Sequence, residues 1–280
     1  MPPAKKRARR YDSAKIRAAV TAQFGHVREA VAGLTPEQLA LPSGLGEWSV
    51  RELAAHMCMG VEFVNRAIEQ DGHGQGQGHG QGHAGPDGDL PAVTVTLAAW
   101  PLATAAHAGA ISEDVEAYAA SAPAEELFAR TAARLDALLP GADDDQVPVI
   151  RLGPMRFGDF LVTRTVELIV HTDDLNRATG LAVPFDRQAL AACTRVLADA
   201  LATKAPGAST EVRVPPYAVV QCVAGPRHTR GTPPNVVETD PLTWIRLATG
   251  RTGWREEVEA ARVGASGERA DLGGLLPLMG

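Results

Sequence analysis

The sequence predicts a mostly α protein: an antiparallel four-helix bundle followed by a small α+β domain. Three observations carry this. Apolar residues recur every three or four positions in several long stretches of the first 180 residues. The breaks between these stretches hold Gly and Pro. After residue 181 the pattern changes to short alternating or apolar runs, as in strands.

The elements follow in order. Residues 1–12 are basic and carry no apolar periodicity, so they read as a disordered, solvated tail. From Ser13 to about Leu41, Ile16, Val20, Phe24, Val27, Val31 and Leu34 mark one face of a helix. It breaks near Gly33, and Thr35-Pro36 supplies a fresh N-cap with proline in the first turn. A loop at Leu41–Gly46 precedes a second long helix, running from Ser49 to about Gln70. Ser49 and Glu52 have the spacing of a capping box. Residues 71–90 contain alternating glycine with Gln and His, which cannot pack, so a flexible loop is expected. His73, His79 and His83 there would have to lose much chain entropy to hold a fixed geometry.

Val93–Ala106 reads as a short helix, with His107 just beyond. Ile111–Leu139 reads as the third long helix, with Pro123 a point of interruption and Pro140-Gly141 its end. Asp143–Asp145 is an acidic turn, and Val147–Arg151 a short extended piece. Phe157–Thr179 is the fourth helix, stopped by Gly180. The bundle therefore spans residues 13–181. Residues 182–280 hold a helix at Asp186–Thr203, strands at Glu211–Val214, Ala218–Val223 and Asn235–Thr239, and a helix from Asp240-Pro241 to Leu247.

Within the fourth helix, Glu167 and His171 stand four residues apart among Leu161, Val162, Val166, Leu168, Ile169 and Val170. Residues at that spacing share a helix face. A helix this apolar is buried, and a buried charge must be paired or bind a metal. Two ligands do not make a site. The best candidate for a third is His56, which follows Leu53 by three residues on the second helix. Cys58, two residues on, points to another face and is not counted as a ligand.

Composition bounds the function. The chain has 280 residues, 45% hydrophobic and 21% charged, enough to bury a core without staples. A net charge of -6 gives no general pull towards nucleic acid or an anionic membrane. Three scattered cysteines, Cys58, Cys193 and Cys222, suit a reducing compartment and give no disulfide framework. No stretch approaches the roughly 20 apolar residues of a membrane span. No apolar segment follows the basic start, so no secretory signal is expected. A cytoplasmic protein, monomeric or homodimeric, is the expectation.

Two motifs resemble a known family. Trp48-Ser49-Val50-Arg51-Glu52-Leu53-Ala54-Ala55-His56 looks like its second-helix motif, and Glu167-Leu168-Ile169-Val170-His171-Thr172-Asp173-Asp174-Leu175 like its fourth. The family is the mycothiol-dependent maleylpyruvate isomerases, within the DinB-like metal-binding bundles. Asp240–Arg251 is similar to that family's sterol-carrier-like second domain. The resemblance covers most of residues 13–260, and the Gly/Gln/His insert departs from it.

The resemblance implies three metal ligands, His56, Glu167 and His171, with one coordination position open. Zinc is the first choice for two imidazoles and a carboxylate, a ligand set that also suits iron or nickel. Asp174, three residues past His171, reads either as the partner of that ring's second nitrogen or as an ordinary helix-surface charge. The implied cosubstrate is mycothiol, a low-molecular-weight thiol of actinobacteria. Its metal-activated thiolate would add to a small electrophile, in isomerisation or in thiol transfer. Arg246 and Arg251 are the candidates for gripping an acidic group on that electrophile, with a plain surface position the alternative for each. Two alternatives keep the metal. One is a hydrolase or Lewis-acid enzyme without thiol. The other is a non-catalytic metal- or ligand-binding protein.

Overall fold

A computed structural model describes residues 9–72, 92–226 and 234–279. The first eight residues of the expected tail, and His73, His79 and His83 of the expected loop, lie outside them.

The first half is helical. α1 covers Ser13–Ala32, capped by Asp12, whose carboxylate accepts from Lys15 N–H at 3.0 Å. α2 is the single turn Pro36–Leu39, with a complete capping box between Thr35 and Gln38. α3 is Val50–Gly72. Glu52 accepts from Ser49 N–H at 2.9 Å, while Ser49 Oγ receives Arg51 N–H rather than that of Glu52.

The expected helix at Val93–Ala106 shrinks to α4, Trp100–Ala103, and a 3₁₀ turn at Ala105–His107. The β-branched run Val93-Thr94-Val95-Thr96 favours extended backbone, and Thr94 and Val95 donate to Pro154 O. The third long helix is two: α5, Ala108–Ser121, and α6, Ala124–Leu138. Pro123 disfavours helical backbone at the residue before it, and Ala122 is extended, with φ −166° and ψ 167°. α6 packs on α1 and α3, whereas α5 lies chiefly on α3. The bundle is therefore α1, α3, α6 and α7.

A two-residue hairpin follows, β1 (Val149–Ile150) with β2 (Gly153–Pro154). α7, Phe157–Thr179, is buried over most of its length and ends at Gly180 in the left-handed region, φ 72°. The acidic turn before it is held by ion pairs: Asp144 to Arg17 at 2.5 Å and Asp145 to Arg156 at 2.6 Å.

The second half opens with α8, Arg187–Lys204, capped by Asp186. Its sheet has the order β4-β3-β5-β6, from β3 (Thr210–Val214), β4 (Ala218–Cys222), β5 (Val236–Thr239) and β6 (Val263–Ser266). β3 and β5 run parallel, with Val212 opposite Val237; the other pairings are antiparallel. α9 (Pro241–Ala248) and α10 (Trp254–Glu259) lie between β5 and β6.

α8 packs on α7 and α1 with one side and on β4 with another. One continuous hydrophobic core consequently runs from Ile16 through Phe128, Leu168 and Leu197 to Val220 and Trp244. The two halves share this wall. Among the described residues, no helix is long and apolar enough to cross a membrane.

Candidate metal centre

Antiparallel α3 and α7 bring His56 face to face with Glu167. His56 Nε2 lies 3.3 Å from Glu167 Oε2, and His171 Nε2 lies 3.3 Å from the same oxygen. The two imidazoles meet edge to face, with ring centroids 4.7 Å apart. One donor atom from each of the three residues fits within a span of 4.8 Å. Tetrahedral zinc with bonds of about 2.0–2.2 Å needs donors some 3.3–3.6 Å apart, so small rotations suffice.

The surroundings prepare the donors. His171 Nδ1 stands 2.9 Å from Asp174 Oδ2. Against its burial, hydrogen bonds to Asp174 and Glu167 raise the His171 pKa, so the protonated ring donates from both nitrogens; a cation would displace the Nε2 proton and leave the one on Nδ1. Burial opposes the charge of Glu167. Hydrogen bonds from His171 and His56, with the Arg164 charge, outweigh it and hold the carboxyl well below its usual range. Burial also pushes the His56 pKa down, which keeps that ring neutral and able to ligate. Trp48 braces it: the indole centroid is 5.2 Å from the His56 ring, and Nε1–H donates to Ser112 Oγ of α5 at 2.7 Å. The donor set, the fixed tautomer and the deprotonated carboxylate fit a borderline divalent cation.

All three residues line a cavity of about 880 Å³, walled by α3, α4, α5, α7 and the β1–β2 hairpin. Its lining is mainly apolar, from Met59, Phe63, Trp100 and Phe160 among others.

The predicted arginines divide. Arg251 lines the cavity, but its guanidinium lies against Asp174: Nη2 to Oδ2 at 2.9 Å and Nε to Oδ1 at 3.2 Å. Arg246 is absent from the described lining residues. It makes a two-pronged pair with buried Asp173, at 2.8 and 2.6 Å. Sequence reasoning missed Arg164, a buried arginine on the cavity wall three residues before Glu167. Spacing was its available signal, since i and i+3 share a helix face. His107, just beyond the expected short helix, also reaches the cavity.

Known proteins share this fold. Residues 20–176 match the model of the mycothiol maleylpyruvate isomerase N-terminal domain, and residues 186–278 that of a bacterial sterol-carrier-protein ortholog. No curated protein sequence matches. Among solved structures, the mycothiol-dependent maleylpyruvate isomerase aligns with a TM-score of 0.62 at 13% identity, covering 96% of this chain and 97% of that one. A histidine-to-alanine mutant of that enzyme aligns at 12% identity with the same coverage and score. The fold is shared over essentially the full length.

Proposed function

The chain belongs to the mycothiol maleylpyruvate isomerase N-terminal domain family, and from that premise we propose a metal-dependent, thiol-dependent isomerase or S-transferase acting on a small electrophile. The observation that carries the reading is the convergence of His56, Glu167 and His171 donor atoms within 4.8 Å on the wall of a large, mainly apolar cavity. A divalent cation there, zinc by ligand type, would supply a coordination position that lowers the pKa of an entering thiol.

The chain's own residues do the rest. Asp174 holds the His171 proton on Nδ1, and Arg251 keeps Asp174 charged and aimed. Trp48 and Ser112 fix the His56 ring. The apolar walls exclude water that would compete with sulfur.

Mycothiol is the proposed thiol. Its thiolate sulfur bonds to the β-carbon of a conjugated carbonyl as the alkene pair moves to the carbonyl oxygen. Rotation about the new single bond follows, the pair returns, and the C–S bond breaks to release the thiolate unchanged. Retention of the C–S bond, with a proton taken up at the α-carbon, gives transfer instead. A cytoplasmic setting suits both outcomes, because the thiol must stay reduced.

The test is elemental analysis of the purified protein together with turnover of conjugated carbonyl substrates against a panel of thiols. The expected result is one divalent cation per chain and turnover only with thiol present. Metal retained at wild-type stoichiometry in both His56→Ala and His171→Ala, or turnover independent of thiol, rejects it.

A further inference from the structure

We propose that the apolar half of the cavity, running along α3 from the donor cluster to Ala67, holds an extended apolar chain on the electrophile, so that this site takes lipophilic, medium-chain electrophiles. The chemistry at the double bond rests on the thiolate reading above; the binding of the chain does not.

The cavity follows one face of α3. His56, Gly60, Phe63, Ala67 and Gln70 all line it, each three or four residues after the last. His56 and Ala67 stand about 16 Å apart along the helix axis. A staggered chain of about ten carbons covers most of that length. Two contacts fix the register of α7 alongside. His56 meets Glu167, and a β-carbon built on Gly60 would lie 3.3 Å from Arg164 Nη1. One turn further from the donors, Phe160 on α7 and Phe63 on α3 carry the cleft onward. Trp100 of α4 joins them, its ring centroid 5.9 Å from the Arg164 guanidinium carbon. The donors and these apolar walls line one continuous cavity of about 880 Å³, near the top of the range for drug-sized ligands. A chain lying in it carries its reactive end to the donor cluster.

The polar side chains bordering this half are already engaged. Thr104 Oγ1 donates to Pro101 O at 3.0 Å. Arg66 pairs with Glu62 at 3.6 Å and lies over the Phe63 ring, 5.7 Å from its centroid. Arg164 gives Nε and Nη2 to Thr163 Oγ1 at 3.1 and 3.0 Å and lies over the Phe160 ring at 4.7 Å. A ligand body rich in hydroxyls or amides would lose its water there and find few partners in exchange, which is costly. An apolar chain has no such loss. It also frees the water held against Met59, Phe63 and Trp100. The small side chain of Ala67, 7% exposed, leaves depth at the far end.

Calorimetric titration of EDTA-stripped protein with 1-hexanol, 1-octanol and 1-decanol tests the chain site without metal or thiol. Affinity should rise about threefold to fourfold per methylene, with a negative heat-capacity change. Ala67→Phe fills the far end, so it should bring decanol down to the affinity of hexanol and leave hexanol unchanged. Thr104→Phe fills the cavity from the partly exposed opposite wall and should do the same, which decides the matter if the Ala67 variant does not fold. On protein that holds zinc, alkyl hydroxamates of the same chain lengths should show the same rise, since the chelating head then sits on the cation and the chain in the cleft. Equal affinity for the three alcohols overturns the proposal. So does a rise that persists in both variants, or one that is missing from the hydroxamates. Thiol-dependent turnover that survives such an outcome leaves the thiolate reading standing, and alcohol binding as expected in a protein that takes up no zinc removes that reading and keeps this one.

Discussion

Arg251 Nη2 lies 2.9 Å from Asp174 Oδ2, the same oxygen that sits 2.9 Å from His171 Nδ1. An arginine from the second half of the chain thus reaches a proposed metal ligand of the first through one carboxylate. Burial alone would raise the Asp174 pKa. The contacts with His171 and Arg251 reverse that and bring it to about 2, so Asp174 stays charged across the physiological range.

Asp174→Asn should therefore weaken zinc about 10- to 100-fold, the usual effect of losing a ligand's hydrogen-bond partner. Competition against a chromophoric chelator measures it. Arg251→Met should act in the same direction and less strongly. Zinc affinity unchanged in both variants would remove the relay.

Arg246 is expected to serve stability rather than turnover. Asp173 is 4% exposed, and Arg246 matches its charge. Arg246→Ala leaves that carboxylate without its counter-charge, at a cost of about 2 kcal/mol, discounted because the guanidinium is partly exposed. Urea denaturation should show the loss, and Asp173→Asn combined with Arg246→Met should recover most of it. Zinc affinity should not move. A normal midpoint with lost turnover would return Arg246 to the chemistry.

Zinc should stabilise the fold through the donor cluster alone. At a thousandfold excess over Kd, the linkage is worth about 4 kcal/mol. Differential scanning calorimetry should show a rise in Tm for the wild type that is missing from His56→Ala and His171→Ala. An equal rise in the variants would put the cation elsewhere.

The chain's own thiols should not serve as nucleophiles. Cys58, Cys193 and Cys222 are all buried. Burial pushes Cys58 up to about 11, against its hydrogen bonds with Thr131 and Tyr118, and raises Cys193 further. A chromogenic disulfide reagent in mildly alkaline buffer should label native protein slowly and all three thiols after unfolding in guanidinium. Rapid native labelling of one cysteine would mean that the sulfur need not come from outside.

Much of this was legible in the residues. The periodicity of Phe157–Thr179, the stop at Gly180, and the shared helix face of Glu167 and His171 needed only helix geometry. His56 joined them because its helix was amphipathic and began at a recognisable cap. The split at Pro123 was visible as an interruption; which piece would enter the bundle was not, because α5 and α6 are both amphipathic and only packing decides between them. β6 and α10 went unseen, being short and, in Val263-Gly264-Ala265-Ser266, poor in strand-forming residues. Asp173 and Asp174 stand side by side in the sequence, and which arginine each receives depends on how the second half docks. Arg164 had the right spacing but no motif.

α8 is covered on one flank by the bundle and on another by the sheet. Cutting the polypeptide after Gly180 would strip the outer side of α7, the helix that carries two of the three donors, and bare Leu197 and Leu201 to water. The bundle alone would need a substitute for that missing flank, from a partner protein or a second copy, before its cluster of donors could hold its shape.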